Sequence, residues 1–303
     1  MVSSVIGYTV KELKEMVFHA MKTNMNTHEP IFNDTLELGQ NVSLVAIDLD
    51  GTLLRSDKTI SDRTKSVISY VSMQGITVVI ATGRSYEAML PFKEELGLES
   101  PVICYNGAAV VDGKTGEIIS ALTLDDVQAR VIIETARTHD IHMHGFLDGR
   151  LLYERTRAES KQYEDHTNLI GEVVNFDQIE HLRFLKAMYV ADHDVLVGIA
   201  DELRSKLGDD AGVVFSLPHF LEIMHADAHK GNALAQIAAS LGIAPSRIIA
   251  FGDAENDISM LTYAHIGVAM ENADDQVKQA VQYRAPSHDD DGVARFLEHY
   301  LAL

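Results

Sequence analysis

Apolar positions in the first part of the chain fall into short unbroken runs separated by stretches of helical period. Residues 43–48, 76–81 and 101–105 are continuous and rich in β-formers, the pattern of strands buried on both faces of a parallel sheet. Between them lie a helix over 61–73, with Ser61 as N-cap and Gly75 as its stop, and a helix over 86–96 that Pro91 bends or delays. This β-α-β-α-β order predicts a parallel sheet with right-handed crossovers. The pattern then changes. A turn at Asp112-Gly113-Lys114-Thr115-Gly116 leads to a helix over 124–138, a hairpin over 141–147 and 151–154, and a polar helix over 156–169. A strand over 183–190, a helix over 193–207 and two strands at 213–217 and 220–224 complete a module of ordinary domain size. After His225 the first pattern returns, with helices over 230–241, 256–263, 274–281 and 293–301 and strands over 247–252 and 266–269. The expectation is one α/β core, residues 43–122 and 226–303, interrupted by an inserted α+β module, residues 123–225. Residues 1–42 form an extension of unassigned role, with a short amphipathic helix at 11–21.

Polar residues recur where the core strands end. The first run closes in Asp48-Leu49-Asp50-Gly51-Thr52, the second in Thr82-Gly83-Arg84, the third in Asn106-Gly107, and the strand over 247–252 in Asp253-Ala254-Glu255-Asn256-Asp257. In an open parallel sheet these ends share the edge where ligands bind. Asp48 and Asp50 are two apart and share one face while the strand lasts. Taken alone, that pair fits an acidic turn as well as a site, and Asp253 or Asn256 taken singly fits a helix cap. Repetition on several strand ends favours a hard-oxygen site suited to Mg²⁺ and a phosphate oxygen.

Composition narrows the partners. The 303 residues carry 45 acidic against 25 basic side chains, a net charge of −20. That balance argues against nucleic acid or an anionic membrane as partner, since phosphate backbones need Lys and Arg. It leaves room for a small phosphorylated ligand held at one local site. The single cysteine, Cys104, lies in an apolar run and reads as a buried, reduced thiol. No run is long enough to span a bilayer and no secretory signal pattern opens the chain, so a cytoplasmic protein, monomer or small homo-oligomer, is expected.

The four motifs Asp48-Leu49-Asp50-Gly51-Thr52, Ala81-Thr82-Gly83-Arg84, His229-Lys230-Gly231 and Phe251-Gly252-Asp253-Ala254-Glu255-Asn256-Asp257 resemble, in order, those of the haloacid dehalogenase superfamily. The likeness is to the Cof-like phosphatases of subclass IIB, supported by Val102–Ala108 and by Asp290-Asp291-Gly292-Val293-Ala294. It covers roughly residues 43–303. The resemblance implies an α/β fold with a Rossmann-like core and an inserted α+β cap that closes over the core edge. It implies a Mg²⁺-dependent phosphatase for small phosphorylated metabolites such as sugar phosphates, flavin mononucleotide or pyridoxal phosphate. By position, Asp48 would be the nucleophile and Asp50 the acid that protonates the leaving oxygen and then activates water. Leu49, Thr82, Gly83, Lys230 and Asn256 would hold the phosphate. Asp48, the Asp50 carbonyl and Asp253 would hold the metal, and Asp257 would orient Lys230 or the metal's waters. A phosphosugar mutase of the same superfamily and a non-catalytic metabolite-binding regulator are the alternatives.

Other candidates carry less. His142 and His144 share a strand face but lack nearby third and fourth ligands for zinc, and read as surface or substrate-facing residues. Arg84 is as consistent with a structural role as with a ligand contact, and Glu255 reads as a surface acid. Neither the dinucleotide nor the P-loop glycine pattern occurs.

Overall fold

In chain order the first elements are β1 (Leu44–Asp48), α1 (Asp62–Met73), β2 (Thr77–Ala81), α2 (Tyr86–Glu95), β3 (Val102–Cys104), β4 (Ala109–Val111), β5 (Ile118–Ala121) and α3 (Asp126–Thr138). Next come β6 (His142–Leu147), β7 (Arg150–Tyr153), α4 (Ala158–Thr167), β8 (Glu172–Val173), β9 (Lys186–Val190), α5 (His193–Leu207), β10 (Ala211–Leu217) and β11 (Phe220–His225). The last are α6 (Lys230–Ser240), β12 (Ile248–Gly252), α7 (Ile258–Tyr263), β13 (Ile266–Met270), α8 (Asp275–Ala280), β14 (Tyr283–Ala285) and α9 (Gly292–Tyr300). The structure, a computed structural model, describes residues 42–301, with His166 by its backbone alone. The helix expected at 11–21 lies outside the described residues. The described residues divide into two compact units, one of residues 42–81, 92–102 and 234–301 and the other of 82–91 and 103–233.

In the first unit five parallel strands run in the order β14-β13-β12-β1-β2. β1 has a neighbour on each side and is buried along its whole length, which is why its sequence is a continuous apolar run and not an alternation. Ile47 stands level with Phe251, and Asp48 with Ala81, the residue before Thr82. Register therefore brings the ends of β1, β2 and β12 to one level. Helix α1 starts where expected, with the Ser61 side chain accepting from the Thr64 N–H, and stops before Gly75 at φ 81°. Arg63 on α1 forms a two-point ion pair with Glu298 on α9, at 3.1 and 2.5 Å.

The second unit holds a six-stranded sheet in the order β10-β11-β9-β6-β7-β8, antiparallel except for β7 and β8. Its strands obey the period of two. Met143, Leu147, Ala187, Tyr189, Leu221 and Ile223 enter one apolar cluster with Ile132 of α3 and Leu196, Ile199 and Leu203 of α5. The alternate residues His142, His144, Phe146, Lys186, Met188 and Glu222 occupy the other face. β4 and β5 flank the expected turn, where the Asp112 carboxylate accepts from the N–H groups of Lys114 and Thr115. Helix α2 runs through Pro91 without a late start. β8 and β14, two and three residues long, were not expected, because so short a run shows no period.

Candidate active site

Strand β1 ends at Asp48, which is 5% exposed. Directly after it the chain must turn, and Gly51 does so at φ 80°. A second constraint acts at the same residue: a Cβ on Gly51 would overlap the carboxylate of Asp253, with Asp253 Cγ only 2.8 Å away. Glycine is thus required both by its backbone conformation and by the closeness of Asp253. Thr52 then donates its hydroxyl to Asp253 Oδ1 at 2.9 Å, and Asn272 Nδ2 donates to the Gly51 carbonyl at 2.8 Å.

Asp253 follows β12, and its position is set by Asp257. The fully buried Asp257 carboxylate accepts from the N–H groups of Asp253 and Ala254 through Oδ2, at 2.9 and 3.0 Å. Gly252 makes room for it, since a Cβ there would come within 2.5 Å of the Asp257 Cβ. The result is a cluster in which carboxylate oxygens of Asp48, Asp253 and Asp257 lie within 4.8 Å of one another. Three converging carboxylates repel one another unless a cation or protons intervene. Their oxygens are hard donors of the kind Mg²⁺ takes, with room in its shell for waters and a phosphate oxygen. The donor set therefore fits a divalent metal, with Asp48, Asp253 and Asp257 as the residues that would hold it. Asp257, expected only to orient other groups, joins the cluster itself.

Asp50 is the less enclosed of the two motif carboxylates. Lys58 reaches its Oδ1 at 2.9 Å, with both side chains substantially exposed, from a left-handed backbone at φ 65°. Leu49 buries its side chain completely, while its carbonyl accepts from the N–H groups of Leu53 and Leu54. Downstream, Asp291 pairs with Arg55 at 2.7 Å and Asp289 accepts from the Ser56 N–H at 2.8 Å. Asp291 of the late acidic motif and the nearby Asp289 thus fasten the loop that follows Thr52. Asn256 is exposed in the short turn between Asp253 and Asp257.

The remaining expected phosphate ligands belong to the second unit. Thr82 is buried, and its Oγ1 accepts from the Arg84 N–H at 3.1 Å, leaving its own proton for another acceptor. The Thr82 N–H donates to the Ile103 carbonyl, and the Thr82 carbonyl accepts from the Asn106 N–H at 3.0 Å. Tyr105, Asn106 and Gly107 all have positive φ, at 52°, 56° and 101°. For a tyrosine this is an uncommon, strained conformation. Gly107 is needed because a Cβ would strike the His229 carbonyl and lie 3.0 Å from the Lys230 N. That close approach sets Lys230, buried at 1% exposure at the start of α6, beside the strained turn. Thr82, Gly83, Asn106 and Lys230 are thus brought together in this unit.

Sequence reasoning did not find Lys186 and Glu222. They form a buried ion pair at 3.2 Å, and Lys186 also donates to the Gly83 carbonyl at 3.0 Å. Glu222 accepts from Asn106 Nδ2 at 3.0 Å. Burial alone would lower the Lys186 pKa, but the charge of Glu222, helped by Tyr163, outweighs it and holds it above the usual lysine value. His142 and His144 are buried, not on the surface, with Nδ1 of His144 3.3 Å from Nε2 of His142 and the His144 ring 4.3 Å from that of Tyr163. They belong to no metal-binding cluster among the described residues. Cys104 is buried as expected, and burial pushes its thiol pKa upward.

Residues 45–297 match the family described as haloacid dehalogenase-like hydrolase. The chain is 32% identical over 273 residues to the 5-amino-6-(5-phospho-D-ribitylamino)uracil phosphatase of Bacillus subtilis, covering 86% of this chain and 98% of that protein. It is 28% identical over 269 residues to the pyridoxal phosphate phosphatase of Escherichia coli, covering 85% and 98%. Among solved structures, a haloacid dehalogenase-like hydrolase from Bacteroides thetaiotaomicron superposes with a TM-score of 0.79 at 29% identity, covering 85% of this chain and 98% of the other.

Proposed function

Because the chain belongs to the haloacid dehalogenase-like hydrolases and its relatives are phosphatases, we propose that it hydrolyses small phosphorylated metabolites through a phosphoryl group carried on Asp48. The observation that supports this reading most is the Asp48, Asp253 and Asp257 cluster at the end of a buried strand. Mg²⁺, when bound there, screens the repulsion between a carboxylate nucleophile and an anionic phosphate.

The chain's own groups carry the steps. An Asp48 oxygen forms a bond to phosphorus while the bond from phosphorus to the ester oxygen breaks, and Asp50 gives that oxygen its proton. Asp50, now ionised, takes a proton from water as the water oxygen attacks phosphorus. The phosphorus–Asp48 bond breaks, inorganic phosphate leaves and both carboxyl groups return to their starting states. Thr82 and the backbone around Leu49 and Gly83 donate to the phosphate oxygens, Asn256 adds a further donor, and Lys230 neutralises charge on phosphate and nucleophile together. Thr52 and Asp257 keep Asp253 oriented. Residues 123–225 act as the cap that excludes water and selects the leaving group. Sugar phosphates and phosphorylated ring cofactors are the substrate classes, consistent with the phosphorylated pyrimidine and pyridoxal phosphate in the relatives' names. The setting is the cytoplasm, in keeping with a lone buried thiol.

Phosphate release over a panel of phosphorylated metabolites, with Mg²⁺ and with a chelator, tests this reading. Release from a subset of the panel is expected with the metal and not with the chelator. Release that persists undiminished in the chelator, or in Asp48→Asn, would contradict it.

A further inference from the structure

The face of the six-stranded sheet that turns away from its apolar cluster carries charge where nothing in the packing demands it. Lys186 stands on β9 level with Phe146, and Glu222 on β11 level with Met188. The two are 3% and 5% exposed. Taking two such charges out of water offsets most of their attraction, so a buried pair adds little net stability compared with apolar residues of the same size. Each partner also makes one further bond, and both reach the same place. Lys186 Nζ holds the Gly83 carbonyl and Glu222 Oε2 holds the Asn106 amide, each at 3.0 Å. Asn106 also fills the space beside Gly83, since a Cβ on Gly83 would lie 2.8 Å from Asn106 Oδ1. Asn106 is in turn bonded to Thr82 and sits in the strained run Tyr105–Gly107 that abuts Lys230.

We propose that Lys186 and Glu222 are positioning residues for phosphate binding: together they clamp Gly83 and Asn106, and through them hold Thr82 and Lys230 in register. A tyrosine at positive φ, as Tyr105 is, persists only where its surroundings over-determine it. Here the clamp supplies that surrounding from two strands of the sheet. The inference rests on the phosphatase reading of Thr82 and Lys230.

The test compares the wild-type chain with Lys186→Met/Glu222→Leu and with Glu222→Gln, all in Mg²⁺. It reads p-nitrophenyl phosphate hydrolysis, competitive inhibition by inorganic phosphate, and melting temperature with and without phosphate. The double variant exchanges a buried pair for apolar groups of similar size and should melt near the wild type. Inorganic phosphate should inhibit it about tenfold more weakly or worse, with KM rising in parallel. Glu222→Gln still accepts from Asn106 but no longer balances Lys186, and should shift the same constants by about threefold. Should the double variant not fold, Glu222→Gln decides. Unchanged phosphate inhibition and KM in a folded variant overturns the proposal. So does a fall in kcat alone, the mark of a smaller active fraction. A wild type that neither turns over the ester nor gains melting temperature from phosphate would overturn the phosphatase reading, and this proposal with it. An active wild type with unshifted variants removes the clamp only.

Discussion

At the scale of single residues, Gly51 is held to glycine by two separate constraints. Its φ of 80° disfavours any side chain, and the room for one is taken by the Asp253 carboxylate. Gly51→Ala is expected to cost about 1–3 kcal/mol of stability. It should also displace Asp253, lowering the rate more than tenfold at subsaturating Mg²⁺ with partial recovery at high Mg²⁺. Thermal denaturation and a Mg²⁺ titration of activity check both, and a variant with wild-type metal dependence would contradict the role given to this contact. The glycine was legible in the sequence as a turn. Its second role was not, since Asp253 and the Thr52 hydroxyl that holds it are some 200 residues of chain apart. Asp257 reads from the sequence as a supporting group, because its place beside Asp48 depends on two strands far apart in the chain. Its carboxylate also grips the N–H groups of Asp253 and Ala254, four and three residues back along the same turn.

Among the elements, the strands that end in site residues were legible because a strand buried on both faces must be written in apolar residues. β1, β2 and β12 sit within a residue or so of their expected bounds. β9 and β11 were also expected, yet the meaning of their polar residues was hidden. Alternation tells which residues share a face and says nothing of what stands over it, so the contacts of Lys186 and Glu222 have no signal in the sequence. The same face of β6 carries the two buried histidines. Burial, with Arg157 adding to it, lowers the His142 pKa to about 4, although Glu159 and Glu164 oppose the shift. Burial next to His142 and Lys186 lowers His144 well below its usual value. Above the unfolded histidine pKa of ~6.5 both states are neutral and pH has no effect through these rings. As pH falls from there towards about 4, the unfolded chain binds the protons and the folded one does not, so stability is lost. The slope is up to ~1.4 kcal/mol per pH unit for each ring. Melting temperature followed across that window should fall less steeply in His142→Gln than in the wild type. Parallel curves would contradict it.

On the scale of the whole molecule, a chain with a net charge of −20 gathers three of its carboxylates into one cluster. Such a cluster opposes the general preference for spreading like charge, and is understandable as a cation site. No described helix is long and apolar enough to cross a membrane. The order of motifs along the chain carried the family, and the comparisons agree over residues 45–297. What motif order could not convey is how the second unit anchors its share of the proposed phosphate ligands, because that depends on contacts between segments more than a hundred residues apart. The central claim is that Asp48 carries the phosphoryl group. Asp50→Asn should form that intermediate from p-nitrophenyl phosphate, whose leaving group needs no acid, and then fail to hydrolyse it. Acid-quenched protein from this reaction, digested and analysed by mass spectrometry, should carry a phosphoryl group on the peptide containing Asp48, and none when Asp48→Asn is combined with it. Steady turnover by Asp48→Asn alone, or an adduct on another residue, would contradict the account.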